Sequence, residues 1–405
     1  MALQDNDYIS KKSKNKKLTL KDREREALRS LVIGKNEQWE TVFDLFARKE
    51  ISVNALLMGV DFYGIVWDFY NDHFDGIVFT DFLWTCRSMF LPIFTMFQSP
   101  PPAADIYHAV STGYAGIEAA RAAYLYDKPA ILTEHGIYSR EREEEIIRAN
   151  WTKGIYKDLW IRHYYMLSRC IYSRAAGIFC IYKQAAEVQR EIGCPPDKIE
   201  VIHNGIDFDK FAAIPPARNG EIVNIGHIAR VAPIKDTRSL IIAFADAKSA
   251  MPGLRLYIMG NTAEDADYFN DCLGLIEMLG VNDIIFTGHV NLLNYVEMMD
   301  IIILTSISEG QPLSILEAMA AKKPCITTNV GDCYEMLNAG DFENAAGIVV
   351  PVMNTGRISA AIVQLAKSPD LRQRLGENGH AIAARLYRDN LFIDRYREIY
   401  NEMGQ

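Results

Sequence analysis

From residue 105 to residue 350 the chain alternates short apolar runs with helical stretches, and this alternation constrains the fold more than any other feature. Runs rich in β-formers at 106–110, 130–133, 177–181 and 200–202 are separated by helical stretches such as 140–148 and 157–173. The second half repeats the pattern at 222–228, 254–259, 284–287, 301–305, 325–328 and 347–350, with helices such as 237–250 and 312–321 between them. Most of these later runs are continuously apolar, as strands covered on both faces must be, so the chain is expected to be α/β with parallel sheets.

At roughly 100 to 200 residues per domain, 405 residues favour two domains. A cluster of turn residues, Asn204-Gly205-Ile206-Asp207, Pro215-Pro216 and Asn219-Gly220, separates them, and the β/α pattern restarts after it. The expected division is a basic arm over 1–30, a first domain over 31–207, a second over 208–385 and a C-terminal helix over 386–405. Between Lys11 and Arg29 stand nine basic and three acidic residues with few large apolar ones, the mark of a solvated arm leading into a helix. The aromatic-rich segment 39–97 reads as mostly helical. Within it, 82–97 is apolar but only 16 residues long and contains Arg87 and Pro92, whereas a spanning helix needs about 20 apolar residues, so a buried helix is expected.

Charge narrows the partners. The 43 basic and 52 acidic residues give a net charge of −9, the reverse of a nucleic-acid-binding body. Seven cysteines form no CxxC pair, which argues for free thiols in a reducing compartment and against structural zinc. The first 20 residues carry charge without an apolar segment of signal type, so a cytoplasmic protein is expected.

Two stretches carry chemistry. The first runs from Gly226 through Arg230 and Lys235 to Asp236, after a strand and before a helix that Asp236 is expected to cap. Parallel sheets bind ligands at their carboxyl ends, and two cations beside a helix N-terminus suit a diphosphate. The second holds Glu309, Gly310, Gln311, Pro312, Leu313 and Glu317. Pro312 suits the first position of a helix, which leaves nearby amides free to face an anion. Eight helical residues would separate Glu309 from Glu317 by about 12 Å. That exceeds the roughly 5 to 9.5 Å between two carboxylates acting on one glycosidic bond. The pair more plausibly grips two parts of one elongated ligand. Asp265-Ala266-Asp267 falls in an expected helix away from these loops, so no metal is expected.

In order and spacing these residues resemble the retaining glycosyltransferases of family 4. Glu309 and Glu317 have the family's E-x7-E spacing, Arg230 and Lys235 match its diphosphate-binding pair, and Asn204-Gly205-Ile206-Asp207 matches its interdomain segment. Gly288 after a strand and Glu335 after Gly331 agree with it too. Residues 107–116 and 133–142 look like those of the PelF-like branch, which acts in Pel exopolysaccharide synthesis. The resemblance implies a GT-B fold, two Rossmann-like domains facing across a cleft, with the C-terminal helix returning to the first. It implies a UDP-sugar donor, UDP-glucose or a related UDP-hexose, a polysaccharide acceptor, and membrane-embedded Pel proteins as partners at the inner face of the membrane. By the same resemblance Glu309 holds the donor sugar hydroxyls, Glu317 the ribose, and His135, which ends a first-domain strand, contacts the donor hexose near the reacting centre. Glu134 either orients His135 or is a loop charge, and His108 and Ser111 are further acceptor-side candidates. One departure stands out: residues 1–57 show neither the initial strand nor the glycine-rich loop with which family members begin. An epimerase or hydrolase of the same fold and a non-catalytic nucleotide-sugar scaffold are the competing readings. The separation of Glu309 and Glu317 disfavours the first.

Overall fold

The computed structural model describes residues 19–48, 50–74, 76–215, 220–338 and 344–404. The basic arm up to Leu18, and Pro216 and Asn219 of the linker, lie outside the described residues. By its contacts the chain forms two units, one of residues 1–180, 186–200 and 403–405, the other of residues 181–185 and 201–402.

Among the described residues of the first unit, five helices precede any strand: Asp22–Ile33, Trp39–Arg48, Val53–Leu57, Val60–His73 and Phe79–Phe97. The expected arm therefore ends earlier than residue 30. Ala27, Leu28 and Leu31 make a buried stripe, Glu24 accepts a hydrogen bond from the Lys21 amide, and Gly34 in the left-handed region closes the helix. Phe79–Phe97 is the expected buried helix, with Phe82, Phe90, Phe94 and Phe97 in the core and the Arg87 Nε donating to the Leu57 carbonyl at 2.9 Å. No helix among the described residues is long and apolar enough to cross a membrane. Strands β1 (Tyr107–Ala109), β2 (Ala130–Glu134), β3 (Gly177–Cys180) and β4 (Ile199–Val201) then form a sheet in that order, with β1, β2 and β3 paired in parallel.

The second unit contains β5 (Val223–Ile228), β6 (Leu254–Met259), β7 (Ile284–Gly288), β8 (Ile301–Leu304), β9 (Cys325–Thr328) and β10 (Gly347–Val350). They form one sheet ordered β10-β9-β8-β5-β6-β7, and every pair is parallel. β8 and β9 are buried along their whole length, which is why their sequences, Ile-Ile-Ile-Leu and Cys-Ile-Thr-Thr, carry no charge. Strand order reverses between β5 and β8, and such switch points open the crevice in which parallel sheets take ligands.

The units divide at residue 201, before the expected boundary at 207, because Ile206 is buried in the second unit's core with Phe208 and Phe211. Its amide donates to the Tyr387 carbonyl at 2.8 Å, and the Asp389 amide donates to the Ile206 carbonyl at 3.0 Å. A Cβ on Gly205 would stand 2.4 Å from the Asp389 Cα, so only glycine permits this crossing. These bonds hold the start of the last helix, Asp389–Met403, and through Glu402 it groups with the second unit instead of the first as expected. All seven cysteines are buried and stand outside any disulfide.

Candidate active site

Three loops at the carboxyl ends of β5, β8 and β9 are stitched to one another. The Ile307 amide donates to the Ile234 carbonyl at 2.8 Å, and the Thr305 hydroxyl donates to the Lys235 carbonyl at 3.1 Å. The Thr328 hydroxyl donates to the Ser306 carbonyl at 2.6 Å, and the Asp332 amide to the Gly310 carbonyl at 2.9 Å. Gly331, with φ +52°, lies so close that a Cβ there would stand 2.3 Å from the carbonyl oxygens of Glu309 and Gly310. Asp236 caps helix Thr237–Ala250 as expected, accepting from the Ser239 amide, and sits at φ +47°, which turns the loop sharply.

This stitching brings Lys235 and Glu309 together across the switch point. The Lys235 Nζ donates to Glu309 Oε1 at 2.6 Å, the Ser306 hydroxyl donates to the same oxygen, and both charged side chains are mostly buried. Arg230, half exposed, pairs instead with Glu264. Beneath them His227, fully buried in β5, donates from Nδ1 to the Ile303 carbonyl at 3.0 Å. Burial, more than any neighbouring charge, pushes its pKa down to about 4, so it is neutral. His227 alternates with Ile225 along β5, and that spacing carried no sign of its bond to the Ile303 carbonyl.

The expected first-position proline is one place earlier: helix Leu313–Ala320 starts after Pro312, whose carbonyl accepts from the Ile315 amide at 3.1 Å. Among the described residues the amides of Gly310, Gln311 and Leu313 have no recorded partner, as befits a helix N-terminus. The Gln311 side chain turns inward. Its Nε2 donates to Asp332 Oδ2 at 2.6 Å and its Oε1 accepts from the Asn204 amide at 2.7 Å, so it ties the interdomain motif to the β9 loop. Glu317 lies on the helix, half-buried, and makes no side-chain hydrogen bond among the described residues. Burial, opposed by Lys210, pushes its pKa up to about 7. Gly226 does not reach the loop: it lies within β5, where a Cβ would press on Met259, Met299 and Ile302, so its smallness serves packing. Gly288 ends β7 at φ +66° with open space around it. Asp265 caps helix Ala266–Leu279, and only Ala266 and Asp267 lie inside it.

In the first unit His135 is exposed just after β2. Glu134 neither orients it nor sits in solvent. It is 1% exposed and accepts from the Tyr172 hydroxyl at 2.6 Å, the Gln189 amide at 2.9 Å and the Thr112 hydroxyl at 3.3 Å. A strand-end carboxylate among two hydroxyls and an amide is an internal tie, and its burial raises its pKa. His108 Nε2 lies 2.8 Å from the Thr133 hydroxyl, and its pKa is lowered by burial first and by His135 second.

Residues 210–381 match the family Glycosyl transferases group 1, and residues 2–197 match a Domain of unknown function (DUF3492). The chain is 28% identical over 179 residues to N-acetyl-alpha-D-glucosaminyl L-malate synthase of Bacillus anthracis, covering 44% of this chain and 45% of that relative. It is 25% identical over 301 residues to the putative glycosyltransferase EpsD of Bacillus subtilis (strain 168), covering 70% and 72%. Among solved structures, Anabaena HepE in complex with UDP superposes with a TM-score of 0.62 at 18% identity, covering 74% of this chain and 79% of that one. The likeness shows the fold expected from the sequence: GT-B, built of two parallel-sheet α/β units.

Proposed function

We propose that this chain, whose residues 210–381 carry a Glycosyl transferases group 1 domain, is a glycosyltransferase that moves a hexose from a UDP-sugar to a saccharide hydroxyl with retention at the anomeric carbon. The observation that carries the reading is the contact of Lys235 with Glu309 at the switch point of the second sheet. It joins a cation suited to a diphosphate and a carboxylate suited to sugar hydroxyls at one place, beside free amides at the start of a helix. The UDP bound by the HepE neighbour supports the nucleotide part of the donor.

Charge develops on the departing diphosphate, so its stabilisation is where the protein contributes most. Each cation holds a carboxylate, Lys235 with Glu309 and Arg230 with Glu264. The diphosphate takes over both cations and the amides of Gly310, Gln311 and Leu313. Glu309, released from Lys235, accepts from the hexose hydroxyls, and Glu317 accepts from the ribose. A role for His135 toward the hexose rests on the family resemblance alone. No metal is needed, since two cations and a helix N-terminus neutralise the phosphates. The exopolysaccharide acceptor and the membrane-embedded Pel partners rest on the PelF-like residues 107–116 and 133–142 alone.

Calorimetry with UDP tests this reading. Arg230→Ala and Lys235→Ala are each expected to weaken binding by about 1.5 to 3 kcal/mol, roughly tenfold or more. Lys235→Ala sits at the upper end because it also strands Glu309. Binding and transfer are expected to withstand EDTA. Unchanged UDP affinity in both variants, or a loss in EDTA restored by Mg²⁺, sinks the assignment.

A further inference from the structure

Helix Val60–His73 of the first unit is apolar on two faces, and the fold covers one of them. Phe62, Ile65, Val66 and Phe69 are buried. Val60, Tyr63 and Trp67, spaced i, i+3 and i+7, make a second stripe that faces solvent, with 71%, 44% and 42% of their surface exposed. Val78, 62% exposed, and Phe79 extend it, and the Trp67 ring centre lies 6.3 Å from that of Tyr63 and 4.8 Å from that of Phe79. The outer face of a helix in a globular domain is normally polar, so a ring cluster there marks a surface with a partner. Asp61, Asp68 and Asp72 stand about 100° round the axis from Val60, so the apolar stripe itself carries no charge.

The chain that enters beside this stripe states the chemistry of the partner. The Leu20 amide donates to Asp61 Oδ2 at 3.3 Å, which ties the entering chain next to Val60. The Arg25 guanidinium lies over Gly64, 3.1 Å from where a Cβ would stand. Ahead of Leu20 come Lys11, Lys12, Lys14, Lys16 and Lys17, with no acidic residue from 8 to 21. At no more than about 3.6 Å per residue, Lys17 stays within about 11 Å of Leu20 and Lys11 within about 32 Å. These five lysines outnumber the three acids on the flank of the helix. A run of lysines reads charge density more than shape, and Trp and Tyr rings settle where an apolar body and a polar tip are both satisfied. An anionic bilayer surface offers both, headgroup charge for the lysines and the acyl boundary for the rings.

We propose that helix Val60–His73 lies on an anionic phospholipid surface, with Val60, Tyr63 and Trp67 entering the headgroup boundary and the lysines of 11–17 held to its charge. The two contributions need each other, because a shallow apolar insertion binds only marginally until a basic segment adds to it. The surface lies wholly on the first unit, so this inference stands or falls apart from the donor reading above.

The test is co-sedimentation of the full chain with vesicles of phosphatidylcholine and with vesicles of equimolar phosphatidylcholine and phosphatidylglycerol. Binding is expected to the anionic vesicles only. It is expected to fall about tenfold or more between about 0.1 M and 1 M NaCl, as the Debye length shrinks from roughly 10 to 3 Å. Replacing the five lysines by glutamine is expected to weaken it about a hundredfold or more. Tyr63→Ser combined with Trp67→Ser is expected to weaken it about tenfold, with Tm recorded to show that the variant folds. Trp67→Phe keeps a ring in place and is expected to bind nearly as the wild type does. It is also expected to lose part of the tryptophan quenching caused by brominated phosphatidylcholine in the anionic vesicles. Undiminished quenching in Trp67→Phe, or unchanged binding without the lysines, overturns the proposal. Equal binding to both kinds of vesicle, or binding to neither, does the same. A dimer in light scattering that the double serine variant converts to monomers would assign the stripe to a second copy of the chain, and that too overturns it.

Discussion

Glu309 and Glu317 are chemically the same residue and the fold gives them different states. Glu309 is held by the Lys235 ammonium and the Ser306 hydroxyl, whereas Glu317 stands half-buried with only the field of Lys210 to oppose its desolvation. A carboxyl whose pKa is about 7 is mostly protonated at pH 6 and mostly ionised at pH 8. If Glu317 accepts from both ribose hydroxyls it must be ionised, so donor affinity rises with pH. The expected gain from pH 6 to pH 8 is about tenfold, following the ionised fraction. UDP-glucose is the ligand to use, because its diphosphate does not itself titrate in this interval. Glu317→Gln is expected to bind more weakly than the wild type at pH 8 and to show no such slope. A wild-type affinity flat across the interval would remove Glu317 from the ribose.

At the scale of elements the two positive-φ glycines of the second unit's strand-end loops make a contrast. Gly288, at the end of β7, has open space around its missing Cβ, and Gly331, after β9, is wedged against two carbonyls. Alanine at 288 meets only the left-handed backbone penalty, about 1 to 2 kcal/mol. Alanine at 331 meets that penalty and a collision with backbone that has no rotamer to yield, so the β9 loop must leave the Glu309 loop. Gly331→Ala is therefore expected to lower Tm more than Gly288→Ala and to weaken UDP binding, and equal Tm losses with intact binding would show that the loops are not coupled. The same contrast explains what the sequence made legible. The strands were readable because their apolar runs are continuous, and Asp236 as a cap because its side chain acts on an amide three residues away. Glu309 with Lys235 was readable as two motifs but not as one contact, since they are 74 residues apart and are joined by the β5–β8 pairing and the loop bonds above it. Glu134 misled for the opposite reason: it is polar at a strand end, and nothing local reveals that its partners are Tyr172, Gln189 and Thr112. The segment 39–97 was legible as mostly helical, and 82–97 as a buried helix, but not its division into the four helices between Trp39 and Phe97.

For the molecule as a whole, Gln311 and Asp332 form a tie that depends on pH. Gln311 reaches the Asn204 amide, the Ile181 carbonyl at 3.2 Å and Asp332, joining four stretches far apart in the chain. Asp332 is 2% exposed, and burial, only partly offset by the bond from Gln311, pushes its pKa up to about 7 from an ordinary 3.8. The folded protein therefore holds a proton that the unfolded chain releases near pH 4. Stability from this group is full below that value and is lost as pH rises through about 7, after which it is flat. An ionisation displaced that far corresponds to several kcal/mol, on the order of 1.4 for each pH unit. Buried His163 and His227, with pKa values pushed down to about 3 and about 4, act in the other direction, because the folded state refuses a proton the unfolded chain accepts below pH 6.5. The wild-type pH profile mixes these opposite slopes, so the informative quantity is the difference between the wild type and Asp332→Asn. The asparagine oxygen still accepts from Gln311, and the variant has nothing to ionise. Its Tm advantage is expected to grow from pH 4 to pH 7 and to hold steady at pH 8. At about 2 to 4 °C per kcal/mol for a unit of this size, the gain should be readily measured by calorimetric scanning. An advantage that does not change with pH would mean that Asp332 stays ionised in the folded protein, and the tie would then be charged throughout.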